Sequence, residues 1–218
     1  MLAYTGTIAF VVASDVANPP KSWADLLTGT YKVAAGDVGK ASQSNAAVLA
    51  CAIARGGDER RIDPAMELFA KLARQKRLLT IAALPANMGR GEIQVGLMWD
   101  FNALNYRDKV GGGRFNVVIP SDGSVTSGYS TILNKFAKNP DAAMLVREYI
   151  FSDEGQLNLA DGYARPIRVD HLTLPDSAKA KLLPAAQYAK ARPIDPVQWS
   201  DGAKRVPALW QEKVLTEM

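Results

Sequence analysis

Three stretches of the chain carry side chains whose types and spacing could do chemistry. The first is AAGDVGKASQSN, residues 34–45, where a glycine turn runs into Ser42, Gln43, Ser44 and Asn45. A phosphate-gripping nucleotide loop needs four residues between its first glycine and Gly-Lys, then Ser or Thr to hold magnesium. Here only Asp37 and Val38 separate Gly36 from Gly39-Lys40, and Ala41 stands where the hydroxyl is required. Spacing and side chain both exclude that chemistry. What remains is a strand-loop-helix junction. Its free N–H groups and polar side chains can hold a polar or anionic ligand, or Ser42 or Ser44 simply caps the helix.

The second stretch is LMWDFN. Trp99 and Asp100 fall at the end of an expected strand, where clefts open in α/β sheets. An indole offers a flat apolar wall and a carboxylate can pair with an ammonium group. The alternative is that Trp99 fills the core while Asp100 caps the following helix. The third stretch, PIRVDHLTLP, holds His171, the only histidine. It has no serine at a nucleophile elbow and no cysteine partner, so acyl-transfer chemistry lacks its parts. One His and one Cys, 120 residues apart in sequence, make no metal site by spacing. Glu92 and Asp100 could serve as an acid–base pair only if the fold turns them toward each other.

The elements that must position these residues follow from periodicity and breakers. Residues 4–12 read as a buried strand, ended by SDVANPP. Ser22 with Asp25 forms a short capping box for a turn of helix to Leu27. YKVAA is a second strand and leads into the stretch 34–45. Residues 46–54 are apolar on nearly every face, which predicts a helix buried on several sides. Asp63-Pro64 predicts an N-cap with proline in first place, opening a helix with Phe69, Leu72 and Ala73 inward. LLTIAA, residues 92–100 and RFNVVIP are expected strands, SDGSVTSG a loop and YSTILNKFA another strand. Helices are expected over residues 85–90 and from Phe101 to about Tyr106. Asn139-Pro140-Asp141 starts a helix to Phe151 with Ala142, Leu145, Val146 and Tyr149 along one side. A further helix ends at Gly162, and an amphipathic one runs from about Lys204 to Glu217. Strands alternating with helices give an α/β class.

Composition narrows the function. The chain has 218 residues, 48% hydrophobic and 22% charged, so it can bury a core. The net charge of +4 is mild and scattered, without the basic stripe interleaved with aromatics that nucleic acid requires. Cys51 is the only cysteine and lies in an apolar helical run, so no intrachain disulfide forms. The N-terminal MLAYTGTIAFVVASD lacks a basic leader and alternates like a strand, so the chain is expected to begin inside a sheet.

Two passages carry a family resemblance. NPPKSWADLLTGTYKVAAGD and FAKNPDAAMLVREYIFSDEGQLNLADGYARPI are similar to passages of bacterial extracellular solute-binding proteins of ABC importers. The similarity lies with the two-lobed type II group that includes iron, polyamine, thiamine and phosphonate binders, and it runs over essentially the whole chain. The resemblance implies a type II lobe: a mixed sheet flanked by helices, with C-terminal helices. It implies that residues 1–125 form a hinge strand and most of lobe 2, that 126–170 pack on lobe 1, and that 171–218 return to lobe 2. It also implies that most of lobe 1 lies outside this chain. The expected function is non-catalytic capture of a small solute for an inner-membrane permease, from a periplasmic location, without cofactor or metal. Self-association through the surface meant for lobe 1 is a further expectation. Ser42, Gln43, Ser44, Asn45, Trp99, Asp100 and Asn102 are the implied ligand contacts, with Thr5, Thr7 and Tyr129 near the hinge. The chain departs from the iron binders, which present adjacent tyrosines where this sequence reads WDFNALNY. An aromatic beside a carboxylate favours an organic cation, whereas the Ser/Gln loop suits an anion equally. The rivals are an enzyme on a similar scaffold and a ligand-sensing effector domain.

Overall fold

A computed structural model describes residues 1–218. Its organising element is β1 (Leu2–Ala13), buried continuously from Gly6 to Ala13. A strand covered on both faces reads as an unbroken apolar run, which is why GTIAFVVA lacks polar alternation. The C-terminal half of β1 pairs antiparallel with β4 (Val95–Trp99), from Ile8 opposite Trp99 to Val12 opposite Val95. Its other side takes β5 (Phe115–Val118), from Phe10 opposite Val118 to Ala13 opposite Phe115. The N-terminal half pairs with β6 (Ser124–Ser130) and with the two-residue β7 (Arg165–Pro166). One strand is thus shared by two sheet regions that meet between Thr7 and Ile8.

The sheet is completed by parallel partners. β2 (Val33–Ala34) lies between β3 (Leu78–Leu79) and β4, and β8 (Ala191–Pro193) runs beside β6. The order β3-β2-β4-β1-β6-β8, with parallel and antiparallel pairs, makes the sheet mixed as expected.

Helix α1 (Ser42–Ala54) lies between the sheet and α2 (Asp63–Arg74), and its residues 46–52 are all buried. Sandwiching on two sides is the reason its sequence has no polar face. α8 (Pro196–Lys213) brings Val206 and Trp210 into the same core, where Trp210 meets Phe69 edge-on at 5.1 Å. Trp23 sits edge-on to Phe10 at 4.9 Å and donates its indole N–H to the Gly123 carbonyl at 3.0 Å. Ser22 and Asp25 close the expected box: Ser22 Oγ accepts from Asp25 N and the Asp25 carboxylate accepts from Ser22 N and Lys21 N. The remaining helices are α3 (Pro85–Gly89), α4 (Asp100–Val110), α5 (Pro140–Phe151), α6 (Asp153–Asp161) and α7 (Asp176–Lys179).

Several expectations need correction. SDGSVTSG is no loop past its turn, because Ser124 onward forms β6, held between β1 and β8. Conversely, YSTILNKFA leaves the sheet after Ser130, where β1 has no residues left to pair, and Ile132 and Phe136 are exposed. LLTIAA keeps only two strand residues, and residues 92–94 precede β4. Asp63 does not cap α2; its carboxylate takes Lys213 of α8 at 2.7 Å. The Asp-Pro start does operate at Asp195-Pro196, where Asp195 accepts from Val197 N and Gln198 N, so α8 begins eight residues before the expected segment. The expected boundary at 125/126 falls inside β6. No correction is needed for α5, whose side bearing Leu145, Val146 and Tyr149 is exposed, as a segment expected to pack on a lobe outside this chain would be.

Candidate functional site

A cleft of about 770 Å³ opens where the start of α1, the end of β4, β6 and the start of α8 converge. Ser42 lines it as the first residue of α1 and Tyr129 from β6, while Trp99 at the end of β4 borders it but is 5% exposed and packs into the main core, the alternative the sequence left open for it. Thr5, Thr126, Ser127, Ser130 and Ser200 add hydroxyls around the opening. Trp199, from the first turn of α8, supplies a second indole. Elements far apart in sequence, β1 and β8 among them, therefore build one concave wall.

The aromatic side is a stack. Tyr129 lies face to face with Tyr4, 4.6 Å between centroids and 5° between planes, and both meet Phe101 edge-on. Trp99 stands edge-on to Tyr129 at 6.3 Å. Such offset and T-shaped contacts fix ring orientation at little entropic cost. Gly6 is required beneath them, since a Cβ there would lie 2.6 Å from the Phe101 ring. Burial, with the Tyr4 and Asp100 charges beside it, pushes the Tyr129 phenol up to about 12, so it is an uncharged donor at neutral pH. No lysine, arginine, histidine or carboxylate lines the cleft.

The other expected contact residues occupy different positions. Gln43 faces inward: its Oε1 accepts from Trp99 N at 3.1 Å and from Asn102 Nδ2 at 2.9 Å, tying the start of α1 to the β4–α4 junction. Gln43 and Asn102 thus engage each other. Asn45 turns back on the preceding loop and accepts from Gly39 N at 2.7 Å. Ser44 is buried beneath Gly36, whose φ of +76° and lack of Cβ make room for the Ser44 hydroxyl. Thr7 is fully buried and shares a 2.8 Å hydroxyl contact with Thr126.

Asp100 is 1% exposed and lies outside the cleft lining. Its carboxylate accepts from Thr7 N at 2.9 Å and from the Tyr188 hydroxyl at 2.8 Å. It fills the gap on β1 between the last β4 partner, at Ile8, and the first β7 partner, at Thr5. Burial pushes this carboxyl up to about 6, partly offset by hydrogen bonds from Thr7, Tyr188 and the Phe101 backbone and by the Arg165 charge. Burial likewise pushes the Tyr188 phenol up, with Arg165 lying over its ring at 4.4 Å. The carboxylate expected to face a cation is therefore sealed inside the sheet.

The acid–base alternative does not assemble. Glu92 is paired with Arg90 at 2.6 Å before β4 begins, whereas Asp100 follows its far end. Cys51 is buried in α1, where desolvation pushes its thiol up, and His171 is exposed in the turn Val169–His171. No three His, Cys, Asp or Glu side chains come together to hold a metal.

Of the residues expected from the sequence, Ser42, Trp99, Tyr129 and Thr5 line the cleft; Trp199 lines it too and was not among them. Its only signal was the Asp195-Pro196 helix start, which fixes where Trp199 emerges.

The fold is shared with solved structures. One is an ABC transporter structure from Clostridium perfringens: TM-score 0.71 and 22% identity, covering 98% of this chain and 68% of the other. A second is the periplasmic binding protein AfuA from Actinobacillus pleuropneumoniae with fructose-6-phosphate bound: 0.68 and 20%, covering 98% and 67%. A third is the spermidine/putrescine ABC transporter substrate-binding protein PotD from Streptococcus pneumoniae: 0.72 and 16%, covering 100% and 69%. No curated protein sequence matches this one. The family described as bacterial extracellular solute-binding protein matches residues 2–195. The chain belongs to that family, the solute-binding components of ABC transporters.

Proposed function

We propose that the cleft between α1, β4, β6 and α8 is the solute-contacting wall of this protein, and that its solute is a polyhydroxylated, sugar-like molecule without positive charge. The observation that carries this reading is the lining: the half-buried Trp199, the buried Trp99 behind it and a neutral tyrosine, beside hydroxyls and aliphatic side chains such as Leu2 and Ile167, with no ionisable side chain except that tyrosine. Apolar C–H faces of a ring stack on indoles, and ring hydroxyls exchange hydrogen bonds with serine and threonine. A polyamine would enter a cleft without one carboxylate, which leaves its charges desolvated and unpaired. AfuA was solved with fructose-6-phosphate and PotD is named for spermidine and putrescine; the lining here suits the sugar part of the former, and offers a counter-charge neither to a phosphate nor to an amine.

The protein acts by holding its solute, in an extracytoplasmic compartment, and passing it unchanged to a permease. No helix is long and apolar enough to cross a membrane. Of the four tryptophans, Trp199 is the half-buried one on the cleft; Trp99 also borders it but, 5% exposed, belongs to the same core as Trp23 and Trp210. Saturable change of indole emission with neutral hexoses, but not with putrescine or spermidine, is the expected result. Trp199→Ala should weaken that binding about tenfold, the loss of one aromatic face. Binding of the amines alone, or turnover of any solute, overturns the reading.

A further inference from the structure

A second concavity, of about 500 Å³, lies away from the cleft described above and shares no lining residue with it. One wall is the Pro19-Pro20 turn, set by Asn18 at φ +53°. The floor is the β5 end, with Val118, Ile119 and Pro120, and the opposite wall is the turn Ala185–Lys190. Its walls are stitched in place rather than loosely apposed. Ser121 N donates to the Lys21 carbonyl at 2.8 Å, and Ile119 N donates to Gln187 Oε1 at 3.3 Å. The prolines have fixed φ and no N–H to satisfy, so the surface they present is rigid and apolar.

Two lysines are among its lining residues. Lys21 and Lys190 both line the concavity, no carboxylate lines it, and neither lysine belongs to any ion pair in the molecule. With Oε1 engaged, Gln187 still has its amide N–H groups to donate there. Apolar walls with two unpaired cations and an amide donor fit one chemistry: an apolar body ending in a single negative charge. The volume is within the usual range for small-molecule sites.

We propose that this groove is a second binding site, for a small apolar carboxylate whose head lies between Lys21 and Lys190 and whose body rests on Pro19, Pro20 and Val118. The site is independent of the solute cleft and does not rest on the reading given for it.

The test uses octanoate and benzoate as probes, with octanol and benzyl alcohol as uncharged matches, followed by calorimetry and by amide shifts on labelled protein. Saturable binding of a carboxylate, with shifts at Lys21, Val118 and Gln187 and at least tenfold preference over its alcohol, is expected. Lys21→Gln with Lys190→Gln, both exposed and so tolerated by the fold, should remove that preference. Ala189→Trp, which fills the groove from its exposed wall, should block both probes. Absence of saturation for both acids, equal binding of acids and alcohols, or binding indifferent to the lysine and Trp changes overturns the proposal.

Discussion

Replacing Asp100 with asparagine isolates the charge buried at the centre of β1. In the native protein the carboxyl is 1% exposed and pushed up to about 6, from 3.8 for the free side chain. Because the folded form holds the proton more tightly than the unfolded chain, the folded state binds more protons between those two values. Stability from this group is therefore greatest below about pH 4 and is lost as pH rises through about 6. A shift of about two units corresponds to about 3 kcal/mol, at 1.36 kcal/mol per unit. Asparagine keeps an oxygen for Thr7 N and can donate its amide to the Tyr188 oxygen, but it does not titrate. Urea unfolding of both proteins from pH 4 to pH 8, followed by tryptophan emission, measures the difference directly. Native protein should lose between about 2 and 3 kcal/mol relative to Asp100→Asn across that range, since part of the loss has already occurred at pH 4. A difference that stays constant, or that grows in favour of the native protein as pH rises, refutes the argument. It would mean that Thr7, Tyr188 and Arg165 stabilise the carboxylate by more than burial penalises it.

Two further predictions concern other parts of the molecule. Gln43→Ala strips the acceptor from the buried Trp99 N–H and from Asn102, so it should cost about 1–3 kcal/mol in thermal or urea unfolding and weaken solute binding together. The exposed apolar strip of Ile132, Phe136, Leu145, Val146 and Tyr149 should drive concentration-dependent self-association of this chain, read by light scattering. Leu145→Glu with Val146→Glu should return the mass to a monomer; a monomer at every concentration before substitution refutes the expectation.

Local signals in the sequence were reliable where the physics is local. The Ser22–Asp25 box, the glycine that ends α6 and the all-apolar α1 each depend on neighbours within a turn or on simple burial. β6 was illegible for the opposite reason. Its SVTSGYS has the serine and glycine content of a loop, and it extends only because β1 and β8 flank it. Gly128 is tolerated there since Leu2 of β1 occupies the space a Cβ would need. The candidate site divides similarly. Ser42 and Trp99 lie at element ends that the pattern marks, so their place on the cleft was accessible. Trp199 reaches it only through the return of α8, which no nearby residue announces. Asp100 misled because a carboxylate after a strand resembles a ligand contact, whereas its partners are Thr7, ninety-three positions earlier, and Tyr188, eighty-eight later.

The sharing of β1 between two sheet regions has a mechanical consequence. No peptide segment outside β1 is needed to transmit a bend from the cleft side to the β4–β5 side, since the same backbone belongs to both. It acts as a common axle: a change of twist at Thr7 and Ile8 reorients Tyr4 and Trp99 relative to each other. The stabilities of the two regions are therefore coupled, because losing either removes half the partners of the strand on which the other is built.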